Sequence, residues 1–481
     1  MVTTSAEVTS PLSPSYRALS TGIFAVIVVI AFEFMAVATA LPVAARDLGG
    51  LNLYAWALTG FLGAAMFANG VGGGLCDRIG PRLPLGGGGV CFALGLVLSG
   101  LSTSMPMLIA GRVVQGLGAG FTIVAVYVVI GQTYPDTLRP KVMSLLSTAW
   151  VVPSVVGPFI AGGLTEYVSW RWAFLALVPL VPIPLLVVLP RIPAAARVTG
   201  KRPTRIRPAI AMAVGATVLQ WAGLEAEHRR WGIAAVAALA GVGLAAIGAW
   251  RLFPDGTLQL RRGLPSVVAF RGVIAGGFFA CEAYVPLMLV EHRGATPTRA
   301  GLAVAATAIG WASGSWWQGR SALRMRRSGL VRLGAVVTAV GVAVTGSAAI
   351  VTSALVVPAG LTGVGLLVAG LGMGLSMSSN SVLLFDLSAA DEQGANSAAL
   401  QMSDSFGGLT VIGAAGVIYA LWRNSLDATL VFAMIFGLSL LVMLAAVWVA
   451  FRVRPAVAGQ PRHLPTPAGR GSRSTDSEPG P

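Results

Sequence analysis

The chain is 481 residues long, 55% hydrophobic and only 11% charged, where an ordinary globular protein carries roughly a quarter charged residues. That composition excludes a water-soluble enzyme or binding domain and points to an all-α polytopic membrane protein. A net charge of +15 would suggest nucleic acid in a soluble protein, but its distribution along this chain gives it another origin.

In chain order, residues 1–19 form an N-terminal tail with Arg17 as its basic residue and no recognisable cleavage site. The tail runs straight into the first apolar run, which reads as a retained helix rather than a removed signal peptide. Runs of about 20 residues, each long enough to span a bilayer, recur at roughly 20–42, 54–74, 84–103, 107–131, 143–164, 173–189, 208–226, 232–251, 265–290, 298–317, 330–351, 356–385, 395–420 and 428–451. The long tenth to thirteenth runs leave room for re-entrant or loop portions. The runs divide as six, two and six. This gives a six-helix bundle over 20–190, a basic linker over 191–207, two additional helices over 208–253 and a second bundle over 264–452. The additional pair reads as spacer helices, with Gln220 and Trp221 as its main polar-interface residues. The last stretch, 453–481, is rich in Pro, Gly, Ser and Arg and reads as a disordered cytoplasmic tail.

With residues 1–19 in the cytoplasm, roughly 24 of the basic residues fall in cytoplasmic loops and tails, about 7 outside and about 2 within helices. The heaviest clusters, Arg191 to Arg207, Arg251 to Arg262 and Arg320 to Arg332, are separated by even numbers of runs, so both termini face the cytoplasm. The positive-inside rule accounts for the charge, and no nucleic-acid partner is expected. Cys76, Cys91 and Cys281 are odd in number and lack metal-ligand spacing. His228, His292 and His463 lie in loops or the tail, so neither a metal site nor a clustered enzyme site is expected. The scarcity of lysine (only Lys141 and Lys201) beside abundant Ala, Gly and Val suggests a GC-rich bacterial genome.

Several groups carry chemistry. Gly73-x-x-x-Asp77-Arg78-x-Gly80-x-Arg82, with Leu83 after it, closes the second run. Asp77 can meet a helix N-terminus or an arginine in one gate state and lose that contact in the other. A weak echo, Gly314 through Gly319-Arg320 to Arg324, closes the corresponding run of the second half. Arg112, in Leu108-x-x-x-Arg112-x-x-Gln115-Gly116-x-Gly118-x-Gly120, sits mid-helix. There an arginine must face the protein interior and find an anionic or polar partner, or backbone carbonyls. Glu33, near the centre of the first run, is the matching acid. A low-dielectric site favours its neutral form, and an approaching arginine favours the carboxylate.

In the second half, Arg271 and Glu282 lie about three turns apart on one face, too far to pair. Glu282 precedes Pro286 and is a second protonatable or cation-binding site, or else an outer-end anchor. Arg271 is expected to snorkel toward the cytoplasmic interface. Asp404 is either functional or satisfied locally by Gln401 and Ser403. Gly370-x-Gly372-x-Gly374 reads as close helix packing that leads into a polar wall of Ser376, Ser378, Ser379 and Asn380. Phe34, Gln115, Trp150, Trp311 and Phe406 are candidates to line a substrate cavity.

Gly157-Pro158-Phe-Ile-Ala-Gly162-Gly163, followed by Trp170-Arg171-Trp172, resembles the fifth-helix antiporter motif of major facilitator drug/proton antiporters. Gly73 to Arg82 and Leu108 to Gly120 resemble the loop and fourth-helix signatures of the same superfamily. Phe32-Glu33 to Pro42 resembles the first-helix motif of its fourteen-helix branch, with Glu33 for Asp, Met35 for Thr and Ala38 for Asn. The resemblance implies a major facilitator fold: two six-helix bundles plus two central helices. It implies a proton-coupled exporter of amphipathic drugs or toxic small molecules, with Glu33 and Arg112 in proton coupling; Glu282, at a place where an acid is not general in the family, and Asp404 join them as proton-coupling candidates on their own position in the spans. It further implies no cofactor beyond the proton, a lipophilic or cationic substrate, membrane lipids as partners and a monomer in a bacterial plasma membrane. Export of an endogenous metabolite, antibiotic or lipid, import, and sensing on the same fold stay open as alternatives.

Overall fold

The computed structural model describes residues 10–135, 137–192, 206–318, 325–351, 356–389 and 392–454. The Gly319–Arg324 echo, most of the basic linker, the final tail and His463 lie outside the described residues. The described residues form α-helices joined by short turns, without a strand among them. Continuous apolar runs leave each helix to satisfy its own backbone, the requirement that hydrocarbon imposes. In order, the helices are α1 (Arg17–Asp47), α2 (Tyr54–Ile79), α3 (Arg82–Gly100), α4 (Met105–Thr133), α5 (Arg139–Tyr167), α6 (Trp172–Leu175), α7 (Pro182–Val188), α8 (Ile206–Glu227), α9 (Trp231–Leu252), α10 (Leu264–Leu287), α11 (Pro297–Gln318), α12 (Arg327–Ile350), α13 (Val356–Leu387), α14 (Gln393–Trp422) and α15 (Ala428–Ala450).

Among the described residues, thirteen segments are long and apolar enough to cross a membrane. α11, with 22 residues, has the length but a more polar sequence and makes the fourteenth. Two expectations change. The sixth run is broken: α6 and α7 are separated by a 3-10 turn, and a second such turn follows α7. Pro179, Pro182, Pro184 and Pro190 remove the amide donors that a continuous helix needs. Conversely, α11 to α14 are each a single helix over their described length, not re-entrant.

Apolar side chains gain little by leaving lipid for protein, so helices in a bilayer associate where small residues let backbones touch. A side chain at Gly95 would meet the Gly111 carbonyl at 2.7 Å, which sets the spacing of α3 on α4. Gly334 faces the Gly372 carbonyl at 2.6 Å and Gly276 faces that of Gly407 at 2.9 Å, joining α12 to α13 and α10 to α14. Within the Gly370–Gly374 stretch, Gly370 and Gly374 lie on the α11 backbone at Thr307 and Trp311, while Gly372 faces α12. One short motif therefore holds two neighbours.

The halves α1–α7 and α10–α15 meet along two seams, α5 against α11 and α2 against α14. The additional helix α8 runs along the second seam rather than acting as a loose spacer. Gly70 of α2 abuts Ala209, Gly223 abuts Val417 of α14, and Thr59 donates to Gln220 Oε1 at 2.6 Å. Trp221 points outward instead.

Close backbone contact sets a sharp contrast between two glycines. The Gly407 position touches the Gly272 backbone, while nothing lies within 4 Å of Gly437 on α15. Gly407→Val should destabilise the protein by about 2 kcal/mol or more through overpacking, and Gly437→Val by a few tenths. Thermal unfolding of the two purified variants in detergent checks this; equal melting temperatures would contradict it.

Candidate functional site

Glu33 lies midway along α1, and α4 brings Arg112 to it. The Arg112 guanidinium donates to Glu33 Oε1, to Gln115 Oε1 at 3.1 Å and to the Ala57 carbonyl at 3.2 Å. It also lies 4.4 Å from the centre of the Phe61 ring. Gln115, one turn along α4, donates to Glu33 Oε1 at 3.2 Å and accepts from Ser99 of α3 at 3.2 Å. The Glu33 and Arg112 side chains are 0% and 2% exposed. Four helices thus converge on one buried ion pair. The second oxygen, Glu33 Oε2, has no hydrogen-bond partner, an unusual state for a buried carboxylate. Gln115, expected on a cavity wall, instead belongs to this network: its amide is needed to satisfy the pair.

The Gly157–Gly163 motif sits behind the pair. Gly157 packs against Met35 and Phe32, on the turn of α1 that carries Glu33, with a Cβ position 3.4 Å from Met35. Further along, Gly162 faces Pro297 and Thr298 at 2.8 Å, and the Pro158 carbonyl touches Gly301 of α11. A Cβ added at Gly163 would meet nothing within 4 Å. The motif therefore contacts the acid's own turn and the other half of the molecule.

Polar contacts close this end of the seam. Arg46 pairs with Glu291 at 2.7 Å, Tyr54 donates to the Ala283 carbonyl at 2.7 Å, and Glu166 accepts from the Thr298 amide at 3.3 Å. Trp170 and Arg171 both donate to Asp47, at 3.0 and 3.3 Å, tying the end of α1 to the turn after α5. Trp170 and Arg171 stood out in the sequence, but their partner Asp47 and the other pairs did not, because each joins residues far apart in the chain with no fixed spacing. At the opposite end, Gly80 takes a φ of +80° between α2 and α3, a backbone region open to glycine. Arg78 and Arg82 are exposed, and Asp77 is half-buried. Asp77 forms no hydrogen bond or ion pair among the described residues.

In the second half, Arg271 does not snorkel. It donates to Asp404 at 2.9 Å and reaches the Ser381 hydroxyl at 3.4 Å. Compensation by a carboxylate on α14 outweighs a stretch to the interface. Asp404 is correspondingly not satisfied by its neighbours: Ser403 donates to the Val268 carbonyl at 2.8 Å, and Gln401 is exposed. Glu282 is half-buried on the same face of α10, in the last turns of that helix, and lies against Thr307 of α11.

The aromatic candidates do not form one cluster. Phe34 meets Phe61 at 5.9 Å, and Trp311 meets Phe278 and Phe279 at 5.8 and 6.4 Å. Trp150 and Phe406 are half-buried on α5 and α14. No group of three or more metal-ligating side chains occurs among the described residues.

The family model described as Major Facilitator Superfamily matches residues 23–410. An uncharacterized MFS-type transporter of Mycobacterium tuberculosis is 32% identical over 292 residues, covering 57% of this chain and 41% of the relative. The chain thus spans less than half the length of that relative. The multidrug transporter protein MdtP of Bacillus subtilis is 25% identical over 82% of this chain and 74% of its own. Among solved structures, an auto-inhibited POT family peptide transporter superposes with a TM-score of 0.66 at 15% identity, covering 92% of this chain and 98% of its own. At that identity the likeness concerns the fold alone.

Removing one partner of a buried ion pair leaves an uncompensated charge, at about 3–5 kcal/mol, whereas replacing both is far milder. Arg112→Leu should therefore lower the unfolding midpoint sharply. The double variant Glu33→Gln/Arg112→Leu should recover more than half of that loss. Additive losses in the double variant would show that the pair is not coupled as its geometry requires.

Proposed function

This chain belongs to the Major Facilitator Superfamily, a family of membrane transporters, and we propose that it is a proton-coupled exporter of amphipathic small molecules. The observation that carries this reading is the buried Glu33–Arg112 pair with its unpartnered carboxylate oxygen. A group so placed can gain or lose one proton with a large change in its attraction to α4. The name of the multidrug relative supports the drug as cargo. The basic loops support a cytoplasmic location for the Gly73–Arg82 end and for both termini, in the plasma membrane of a bacterium. The seam closed by Arg46–Glu291 and Glu166–Thr298 then faces outward.

The chain's own residues suggest the cycle. With Glu33 ionised, α1 is tied to α4 through Arg112 and Gln115. A proton on Glu33 cancels the charge, and Arg112 retains the Gln115 and Ala57 oxygens. The loosened turn of α1 is the one on which Gly157 rests, and α5 carries that shift to α11 through Pro158 and Gly162. In the cycle, cargo loads from the cytoplasm with Glu33 ionised and leaves when the seam parts; a proton from outside then reaches Glu33, and the shift it sets off returns the halves to the inward-open arrangement, carrying the proton inward. The driving force is sufficient: about 2.3 kcal/mol per charge at 100 mV, plus about 1.4 kcal/mol per pH unit.

Glu33→Gln keeps the hydrogen-bonding shape and removes the titration. In proteoliposomes with an imposed pH gradient, the variant should lose gradient-driven ethidium movement by at least about tenfold. Wild-type rates in that variant would remove Glu33 from the mechanism.

A further inference from the structure

Where α15 ends, three elements bring arginines to one corner of the molecule. Arg332 of α12 donates to the Ala450 carbonyl at 3.3 Å and lies 4.8 Å from the centre of the Phe451 ring. Arg452 donates to the Leu260 carbonyl at 3.3 Å, and its own carbonyl accepts from the Gly263 amide at 3.1 Å. Its guanidinium lies 4.2 Å from the centre of the Trp448 ring. Arg454 is exposed and within electrostatic range of Arg332. The turn before α10 adds Arg261 and Arg262, both exposed. Among the described residues none of the five forms an ion pair, with Asp255 of the same turn or with any other acid.

Like charges gathered without an acid repel one another. A guanidinium has five N–H donors, and Arg332 and Arg452 each spend one on a carbonyl. The turn that completes the corner is held in place. Leu260 takes a φ of +53°, uncommon for a residue other than glycine and kept only where the surroundings enforce it. Ser266 enforces it here by donating to the Leu260 and Arg261 carbonyls at 3.2 and 2.7 Å.

What adjoins the arginines identifies the anion. Leu441, Leu444, Trp448 and Phe451 are three or four residues apart, so they form one stripe along α15 and its end, and all four are exposed. In a bilayer that stripe faces acyl chains, and it runs directly into the guanidiniums set on its last two rings. A free anion would use the charge and leave the stripe idle. A phospholipid uses both: its phosphodiester accepts from the guanidinium forks, and its chains lie on the stripe. A zwitterionic headgroup would return a cation to the cluster, so a lipid of net negative charge fits best.

We infer that the corner between α12, α15 and the turn before α10 is a binding site for an anionic phospholipid. Its place in the cytoplasmic leaflet rests on the orientation given above; its binding chemistry depends neither on that orientation nor on transport. An occupied site would clamp three elements of the second half at one end.

The test is lipid retention by the purified full-length protein in nonionic detergent, read by native mass spectrometry after mixing with equimolar phosphatidylglycerol and phosphatidylcholine of the same chains. The wild type should retain phosphatidylglycerol over phosphatidylcholine by about tenfold. Arg332→Gln/Arg452→Gln should reduce that retention by about tenfold, whereas Arg229→Gln, in the exposed turn between α8 and α9, should leave it unchanged. Trp448→Ala keeps every arginine and should lower retention severalfold, with rescue in Trp448→Phe. Each variant is first checked for a monodisperse, folded profile. Equal retention of the two lipids by the folded wild type, or equal losses in the Arg332/Arg452 and Arg229 variants, overturns the site. Thermal stabilisation by inorganic phosphate equal to that by phosphatidylglycerol also overturns it, because the corner would then hold a free anion. No gradient enters the measurement, so its failure leaves the exporter reading standing.

Discussion

An ionised side chain in hydrocarbon must be matched by something, and the buried pair of Glu33 and Arg112 is where this molecule meets that demand most completely. The guanidinium is used by a carboxylate, an amide, a backbone carbonyl and an aromatic face. Those partners come from α1, α2 and α4, with Ser99 of α3 bracing Gln115. Four helices of the first half are therefore arranged around one charge. Low dielectric makes each bond in such a network stronger and each missing bond more expensive, so the unpartnered Glu33 Oε2 is the point at which the network is poised to change.

What surrounds the pair explains how a change there can travel. Hydrophobic residues do not drive helix against helix in lipid, so contact is set by glycines and small side chains. Such contacts are stiff because backbone lies on backbone. Gly157 rests on the turn that carries Glu33, and the same helix presents Pro158 and Gly162 to α11. α5 is thus in direct contact with both the charge and the seam between the halves. The second seam is different in kind. α8 lies along it with a buried Thr59–Gln220 hydrogen bond, so two halves that would otherwise meet only through α2 and α14 share a third helix.

Much of this was legible because it depends on composition or fixed spacing. The spans follow from run length, and the glycine stripe over Gly370–Gly374 reads directly as packing. Arg112 was readable as a residue in need of an acid, and Glu33 as the acid at matching depth. What escaped the sequence depends on three-dimensional register. Arg271 and Asp404 are separated by 133 positions, and nothing local marks them as partners; a snorkelling arginine and a serine-satisfied aspartate were equally consistent with their neighbours. Gln115 looked like a cavity residue because an amide is ambiguous until its donor and acceptor are both seen to be used. The role of α8 was hidden for the opposite reason. Its small residues resemble spacer composition, and only contact with both α2 and α14 gives them meaning.

The three intramembrane carboxylates show why charge inventory alone underdetermines mechanism. Each looks the same in the sequence: one acid within an apolar run. In the fold, Glu33 is sealed and tied to an arginine on the same half, Asp404 is half-buried and tied to an arginine, and Glu282 is half-buried with no ion-pair partner among the described residues. A sealed pair responds to protons more readily than to bulky ligands, because only a proton can reach it without parting helices. A half-buried, unpaired carboxylate can accept either. Had Arg271 reached Glu282 instead, Asp404 would be the acid left without that partner. The eleven-residue separation prevents that along one helix, and Asp404 on α14 takes the arginine. The placement of a single arginine thus decides which acid is left free to act on something from outside the chain.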